Sequence, residues 1–409
     1  MAQTLKFGNK VWAAKEESVL AYNDINNNYK PLPFSFARAS IGTRVNKDGL
    51  IETMGQDIAR IDYTDSADGV LLLEPSSTNY DSESENFDTS FMSNSNAIQS
   101  SILVSDVAPD GTTNSVFKIS KVTDNSDPYI GRSGVAFTST NLVFSVWLWT
   151  DSDQPKDVLL LMYRDAVAEI TTKNITLTTT PTRYFIQKTF SNTPSNISYR
   201  IDLTPNSSNQ HIYAWGKQVE NNSYLTSYIP TSGSTVTRAA ETCNNSGNSE
   251  VFNDSEGVLF AEFALQDGDN EIRQLSVSNG SDNESVKILQ LNESTIRLEV
   301  KMSAGADFVE DVLIDAEINN RFAIQYKNND YKVFVNGIKQ TVNQRSTTSI
   351  GLDRFNFDSG GGGYPFYGKT KELGYYDTAL TDLELETLTS YRSWVSMVNE
   401  LNLNIIYNG

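Results

Sequence analysis

Apolar and polar residues alternate in short runs along most of this chain, and a period of two predicts β-strands. Between residues 81 and 238 such runs fall at 115–120, 142–150, 158–163, 183–190, 198–203 and 210–219, separated by Ser-, Thr- and Asn-rich loops. Close strand spacing without a helical pattern predicts a β-sandwich or jelly roll. A second series follows at 257–263, 272–278, 286–291, 295–302, 321–327, 330–335 and 353–357. There the pair 322–326 and 331–335 predicts a hairpin, with another turn at Asn336-Gly337. The period changes only near the end. Thr381-Asp382-Leu383-Glu384 is a capping box, and Leu385, Leu388, Val395 and Val398 keep helical spacing, so a single helix is expected over 381–400.

Residues 1–80 read as an opening segment of their own. Runs at 5–12 and 33–40 are β-like, Asp48-Gly49 between Val45 and Leu50 predicts a hairpin turn, and 60–63 and 71–79 follow. No repeat of 20–50 residues and no sustained heptad occurs, so a coiled-coil stalk is not expected.

Composition narrows the function classes. A length of 409 residues implies two or three domains, and 19 Tyr with 19 Phe supply β-favouring side chains to an apolar fraction of only 38%. A formal charge of −19 opposes attraction to nucleic acid or anionic lipid. The lone Cys243 excludes an intrachain disulfide, and the lone His211 in an Ile-Tyr strand context reads as passive. No basic and apolar leader opens the sequence and no run approaches 18 apolar residues, so synthesis in a cytoplasm without membrane insertion is expected.

Three features carry candidate chemistry. In the run 142–150, Phe144, Val146 and Leu148 share one face, which puts Ser145, Trp147 and Trp149 on the other. Two indoles on a non-core face either form a platform for the C–H faces of sugars or are covered by loops. Asp358 to Tyr367 joins Gly360–Gly363 to Tyr364, Phe366 and Tyr367, and reads as a contact loop at the rim or as rings packed under a strand. It lacks the Gly-Lys-Ser/Thr of a phosphate loop. Asp267, Asp269 and Glu271 alternate in a spacing that offers oxygen ligands to calcium, although the closing Glu of a twelve-residue calcium loop is absent. For catalysis, no G-x-S-x-G elbow is present, and the acidic stretch 307–315 and the pair Glu384 and Glu386 lack the strand context of a glycosidase pair.

Three regions resemble known families. Glu85-Asn86-Phe87 with Tyr213 to Glu220, followed by the Ser-, Thr- and Pro-rich stretch 223–241, resembles the edges and linker of carbohydrate-binding-module jelly rolls in bacteriophage virion proteins. Tyr331 to Lys339 with Gly368 to Leu380 resembles the late strands of concanavalin A-like (laminin G-like) lectin domains, and 33–79 resembles the opening of phage tail and fibre proteins. The resemblance implies an all-β chain of tandem sandwiches: an attachment segment at 1–80, a jelly roll at 81–238, and a lectin-like domain with a C-terminal helix at 239–409. It implies a non-catalytic tail-fibre or receptor-binding adhesin on the virion surface that engages host glycans. Other virion proteins would be bound through the opening segment, and trimers are a natural assembly. A capsid-bound head fibre or decoration protein and a glycan depolymerase are the alternatives. In related jelly rolls a calcium ion often bridges opening and closing edges, which carries over here to Glu85 and Glu220.

Overall fold

The computed structural model describes residues 5–8, 12–20, 32–95, 98–103, 106–123, 128–137, 139–151, 156–164, 169–203, 210–266, 268–302, 307–315, 318–346 and 351–401. The chain is all-β with a short helical tail. It divides into two bodies, one formed by 1–39, 54–75 and 240–409 and the other by 40–53 and 76–239.

The first body is a sandwich of two large sheets. In one, Asn320–Lys327, Glu256–Leu265, Gly368–Tyr376, Val70–Leu73 and Arg60–Asp62 are successive neighbours, and Leu5–Gly8 also pairs with Gly368–Tyr376. In the other, the order is Phe308–Leu313, Thr295–Lys301, Ser285–Asn292, Arg273–Ser278 and Arg354–Asn356. Alternation decides the core: Leu259, Ala261, Phe263 and Leu265 point inward toward Leu275, Val277, Val286 and Ile288. On the outer face of the larger sheet, Val258 and Phe260 pack against Leu385 of a helix.

The boundary expected at residue 80 is therefore redrawn. Strands of the opening segment supply sheet partners to Gly368–Tyr376, and Phe7 and Phe34 sit in a ring cluster with Phe355 and Phe357. Such apolar surface cannot stand in water as a separate segment, so it completes the sandwich of the first body. The second body is nested within the first along the chain, with the passages between bodies at 39/40, 53/54, 75/76 and 239/240.

The second body pairs Tyr129–Val135, Ile197–Asp202, Lys156–Arg164 and Glu169–Leu177 in one sheet. Ile98–Leu103, Val116–Lys121, His211–Glu220, Asn141–Trp149 and Thr182–Thr189 form the other. Phe144, Val146 and Leu148 enter its core with Val158, Leu160, Met162, Tyr199 and Ile201, as alternation requires.

Local signals are realised with two adjustments. The turn after Val45 spans five residues: Asn46 Oδ1 accepts from Asp48 N and Leu50 N, and Gly49 takes φ +79°. Asn336 and Gly337, at φ +50° and +82°, make the expected tight turn. The capping box at Thr381 starts the helix Asp382–Thr389, but the expected single helix is interrupted. Ser390 is extended (φ −74°, ψ 155°), and Ser393 and Ser396 cap each other to begin a second helix, Trp394–Glu400.

Candidate functional site

The outer face of the sheet containing Lys156–Arg164 is the face opposite the core residues Leu160, Met162, Tyr199 and Ile201. Register aligns its outward residues in rows across four strands. One row reads Tyr129, Asp202, Leu159, Asn174; the next reads Gly131, Arg200, Leu161, Thr172; the third holds Ser198, Tyr163 and Ile170. Arg200 is the centre of this grid. Its guanidinium lies 3.8 Å from the Tyr129 ring centroid and 5.2 Å from that of Tyr163, and Nη2 donates to Tyr163 Oη at 2.9 Å.

Gly131 makes this arrangement possible. A Cβ there would fall 2.1 Å from Tyr199 O and 2.9 Å from Arg200 Cγ, so any side chain would displace the arginine. Two rings therefore hold the guanidinium in place, and less rotamer freedom remains to be lost when a ligand binds. Tyr129, Leu159, Leu161, Tyr163 and Arg200 are half-buried, while Ile170, Thr172 and Asn174 are exposed. The face thus combines aromatic and aliphatic surface with donors and acceptors. That combination suits a ring with one apolar face and hydroxyls at its edge.

The sequence reading passed over these residues. The signal it contains is a Tyr-Arg pair inside two of the strands, Tyr163-Arg164 and Tyr199-Arg200, with Tyr129-Ile130-Gly131-Arg132 in a third. Only lateral register shows which of the arginines lies between rings.

The expected indole platform is placed differently. Trp147 and Trp149 do leave the core on the opposite face from Phe144, but that face is covered. Trp147 meets Trp215 and Tyr228 edge-on at ring distances of 5.3 Å each, and Arg183 stacks on it at 4.5 Å. Trp149 is 7% exposed and lies by Tyr213, within a cluster that also takes Ile51 from the nested hairpin. Two large rings of a sheet face gain more from mutual burial than from water, and Ile51 and Tyr228 supply cover from distant segments of the same body.

Near that cluster, His211 Nε2 lies 3.0 Å from Asp151 Oδ2, which also accepts from Tyr213 Oη at 3.0 Å. Slight burial works against it, yet these bonds hold the Asp151 carboxyl below its usual range. Burial and Asp151 together push the Tyr213 hydroxyl up to about 12.

In the first body, Phe366 and Tyr367 are packed in the core at 2% and 6% exposure, whereas Tyr364 is 52% exposed. The carboxylates proposed for calcium have protein partners instead. Asp267 lies outside the described residues. Asp269 is buried and receives Arg273 Nε at 2.8 Å and the amide of Glu271 at 3.0 Å, so Glu271 contributes its backbone to a turn. Glu220 is fully buried and accepts from Ser77 Oγ at 2.7 Å and from the Thr226 hydroxyl, and Glu85 accepts from Tyr228 Oη at 3.2 Å. Burial, aided by Asp110, raises the Glu85 carboxyl above its ordinary range.

The cation that joins opening and closing edges is an ammonium. Lys217 Nζ, fully buried, donates to the carbonyls of Glu83 and Asn86 (2.6 Å to the latter), lies 3.7 Å from Asp81 Oδ1 and stacks 4.5 Å from the Phe87 centroid. Burial pushes its pKa down to about 8 against the pull of Asp81. Among the described residues, no group of three or more His, Cys, Asp or Glu is arranged to hold a metal ion.

No protein-family model matches the chain, and no curated protein matches it. Among solved structures, it is similar to the CBM40 module of the Ruminococcus gnavus intramolecular trans-sialidase bound to α2,3-sialyllactose. The identity is 20% over 36% of this chain and 94% of that one, with a TM-score of 0.31. A leech intramolecular trans-sialidase matches at 17% identity over 37% of this chain and 27% of its own, with a TM-score of 0.31. Domain 4 of AbnA, a GH43 arabinanase from Geobacillus stearothermophilus, in complex with arabinotriose, matches at 16% over 42% and 84%, with a TM-score of 0.30.

Proposed function

We propose that this chain is a non-catalytic glycan-binding protein whose primary contact surface is the Tyr129–Arg200–Tyr163 face. The observation that carries this reading is the arginine held between two half-buried tyrosine rings over Gly131, with Leu159 and Leu161 beside it and Thr172 and Asn174 at the margin. A saccharide ring stacks its C–H face on the tyrosine and leucine surface, while its hydroxyls take hydrogen bonds from the guanidinium and the polar margin.

The test is binding of the full chain to an oligosaccharide array that includes sialyllactose and arabinotriose. Arg200→Ala is expected to lose roughly ten-fold or more in affinity for any ligand found, the loss of about 1.4 kcal/mol or more of contact energy. Wild-type affinity in Arg200→Ala at an unchanged melting temperature removes this face from the proposal.

The proposal extends to location. The segments 33–79 and 213–238 support a virion-surface component of tail-fibre or receptor-binding type, because that is where the sequence resembles such proteins. Immunogold labelling of intact particles with an antibody against residues 250–409 tests it. Label at the tail end supports the adhesin, label over the capsid favours decoration, and unlabelled particles refute the virion assignment.

A further inference from the structure

In the first body a glycine run leads directly into an exposed tyrosine. Gly360–Gly363 forms a turn closed by Ser359 N donating to Gly363 O at 2.8 Å and by Gly363 N donating to Ser359 Oγ at 3.1 Å. A Cβ on Gly360 would strike Ser278 Oγ at 2.1 Å, so glycine is required where the loop presses on the strand Arg273–Ser278. The next residue, Tyr364, adopts φ +53° and leaves its ring 52% exposed. A bulky side chain in the left-handed region is strained, and a fifth glycine there would relieve the strain.

Tyr364 stands beside polar groups that are already oriented. Its carbonyl accepts from Gln274 N at 3.0 Å, and Gln274 Nε2 donates to Asp282 Oδ1 at 3.3 Å. Asp282 also receives Lys287 at 2.8 Å and Lys301 at 3.3 Å, and Lys287 lies 3.7 Å from Glu299. Partial burial works against it, but these donors hold the Asp282 carboxyl below its usual range. Arg354, whose guanidinium lies against the turn at Gly280, lines an open polar cleft of about 460 Å³ with Asn245, Asn248, Ser249 and Asp353. Through Gln274, the backbone of the exposed Tyr364 is thus joined to the Asp282–Lys301 pair.

We infer that Tyr364, with Asp282 and Lys301, forms a second saccharide contact on the first body, taking a polyhydroxylated sugar ring that stacks on the tyrosine and hydrogen-bonds to the ion pair. This inference rests on the glycan-binding reading above.

Tyr364→Gly is the decisive variant, because glycine suits the backbone and a folding failure is not expected. The variant is compared with wild type, with Arg200→Ala and with the double variant on the same oligosaccharide array and by melting temperature. The expected result is that Tyr364→Gly melts at or above the wild-type temperature, yet loses roughly ten-fold of its affinity for at least one array glycan. Loss of the residual binding of Arg200→Ala in the double variant supports the second contact. A lower melting temperature with intact binding assigns Tyr364 a packing role and overturns the inference. Binding that vanishes in Arg200→Ala and is untouched in Tyr364→Gly on every glycan also overturns it, while leaving the first face standing. Binding that survives Arg200→Ala but vanishes in Tyr364→Gly keeps the inference and refutes the first face. An array on which the wild type binds nothing removes both.

Discussion

Glu241 is the position where one substitution should cost most. Its carboxylate accepts from Arg38 Nη1 at 2.7 Å, from Arg60 Nε at 2.8 Å and Nη2 at 2.5 Å, and from the amide of Glu74 at 2.9 Å. The side chains of Arg38, Arg60 and Glu241 have no exposure, and Glu74 pairs with Arg60 at 2.8 Å. Burial alone would lower the Arg60 pKa, but Glu241 and Glu74 outweigh it and raise it. Three of the four members stand next to a passage of the chain between bodies: Arg38 precedes 39/40 and bonds to Gly55 O just after 53/54, Glu74 precedes 75/76, and Glu241 follows 239/240. Four segments far apart in sequence are thus tied at one buried point.

Glu241→Gln keeps the volume and deletes one negative charge, so that two buried guanidiniums lose the carboxylate they share while Glu74 pairs with Arg60. Breaking a buried pair by removing one partner costs about 3–5 kcal/mol. For a body of this size each kcal/mol moves the midpoint by roughly 2–4 °C, so a fall of about 6–20 °C is expected by calorimetry. The quadruple change Arg38→Met, Arg60→Met, Glu74→Leu and Glu241→Leu should recover much of the loss, since apolar replacement of a whole buried network is often neutral. A shift of under about 2 °C in Glu241→Gln would refute the argument, because it would mean that water or a rearranged partner replaces the carboxylate at no cost.

Two further outcomes follow from the buried charges. Burial, against the pull of Arg392 at 2.8 Å, raises Glu372 from an ordinary 4.5 to about 7. With the folded value above the unfolded one, its contribution is fully present below about pH 4.5 and is lost as pH rises through 7, a span worth on the order of 3 kcal/mol. Glu372→Gln should therefore flatten the melting temperature between pH 5 and pH 7.5 and stabilise the chain at the upper end; an unchanged slope counts against the assignment. Calcium and a chelator should give the same melting temperature, because Asp269, Glu85 and Glu220 bond to protein donors and Lys217 occupies the cation position between the edges. A rise with calcium would show that a site exists after all.

Strands were legible wherever a run alternates over a buried face. The expected 142–150 and 295–302 are Asn141–Trp149 and Thr295–Lys301, because each carries a full row of core side chains. Tyr129–Val135 and Glu169–Leu177 escaped notice for opposite reasons. The first has two glycines, and the second is a Thr-rich edge strand with little to bury. The nesting of one body in the other had no local trace at all. It depends on pairings such as Leu5 with Tyr375 and Lys369 with Leu72, which join segments that share no turn.

The candidate site shows the same boundary between what a strand states and what a sheet adds. Alternation correctly turned Trp147 and Trp149 away from the core, but Tyr228 and Ile51, which cover that face, come from residues far along the chain. Period two fixes a side, and only the neighbouring segments decide whether that side meets water. Arg200 illustrates the converse. Nothing in Ser198-Tyr199-Arg200 distinguishes it from Arg164 or Arg132. Its position opposite Gly131 on one side and Leu161 on the other leaves room for the guanidinium to lie flat between Tyr129 and Tyr163. A one-residue slip of either pairing would put Tyr199 on that face and Arg200 in the core. The hydrophobic pattern that builds the core therefore also sets the register that assembles the site, even though no residue of the site belongs to that pattern.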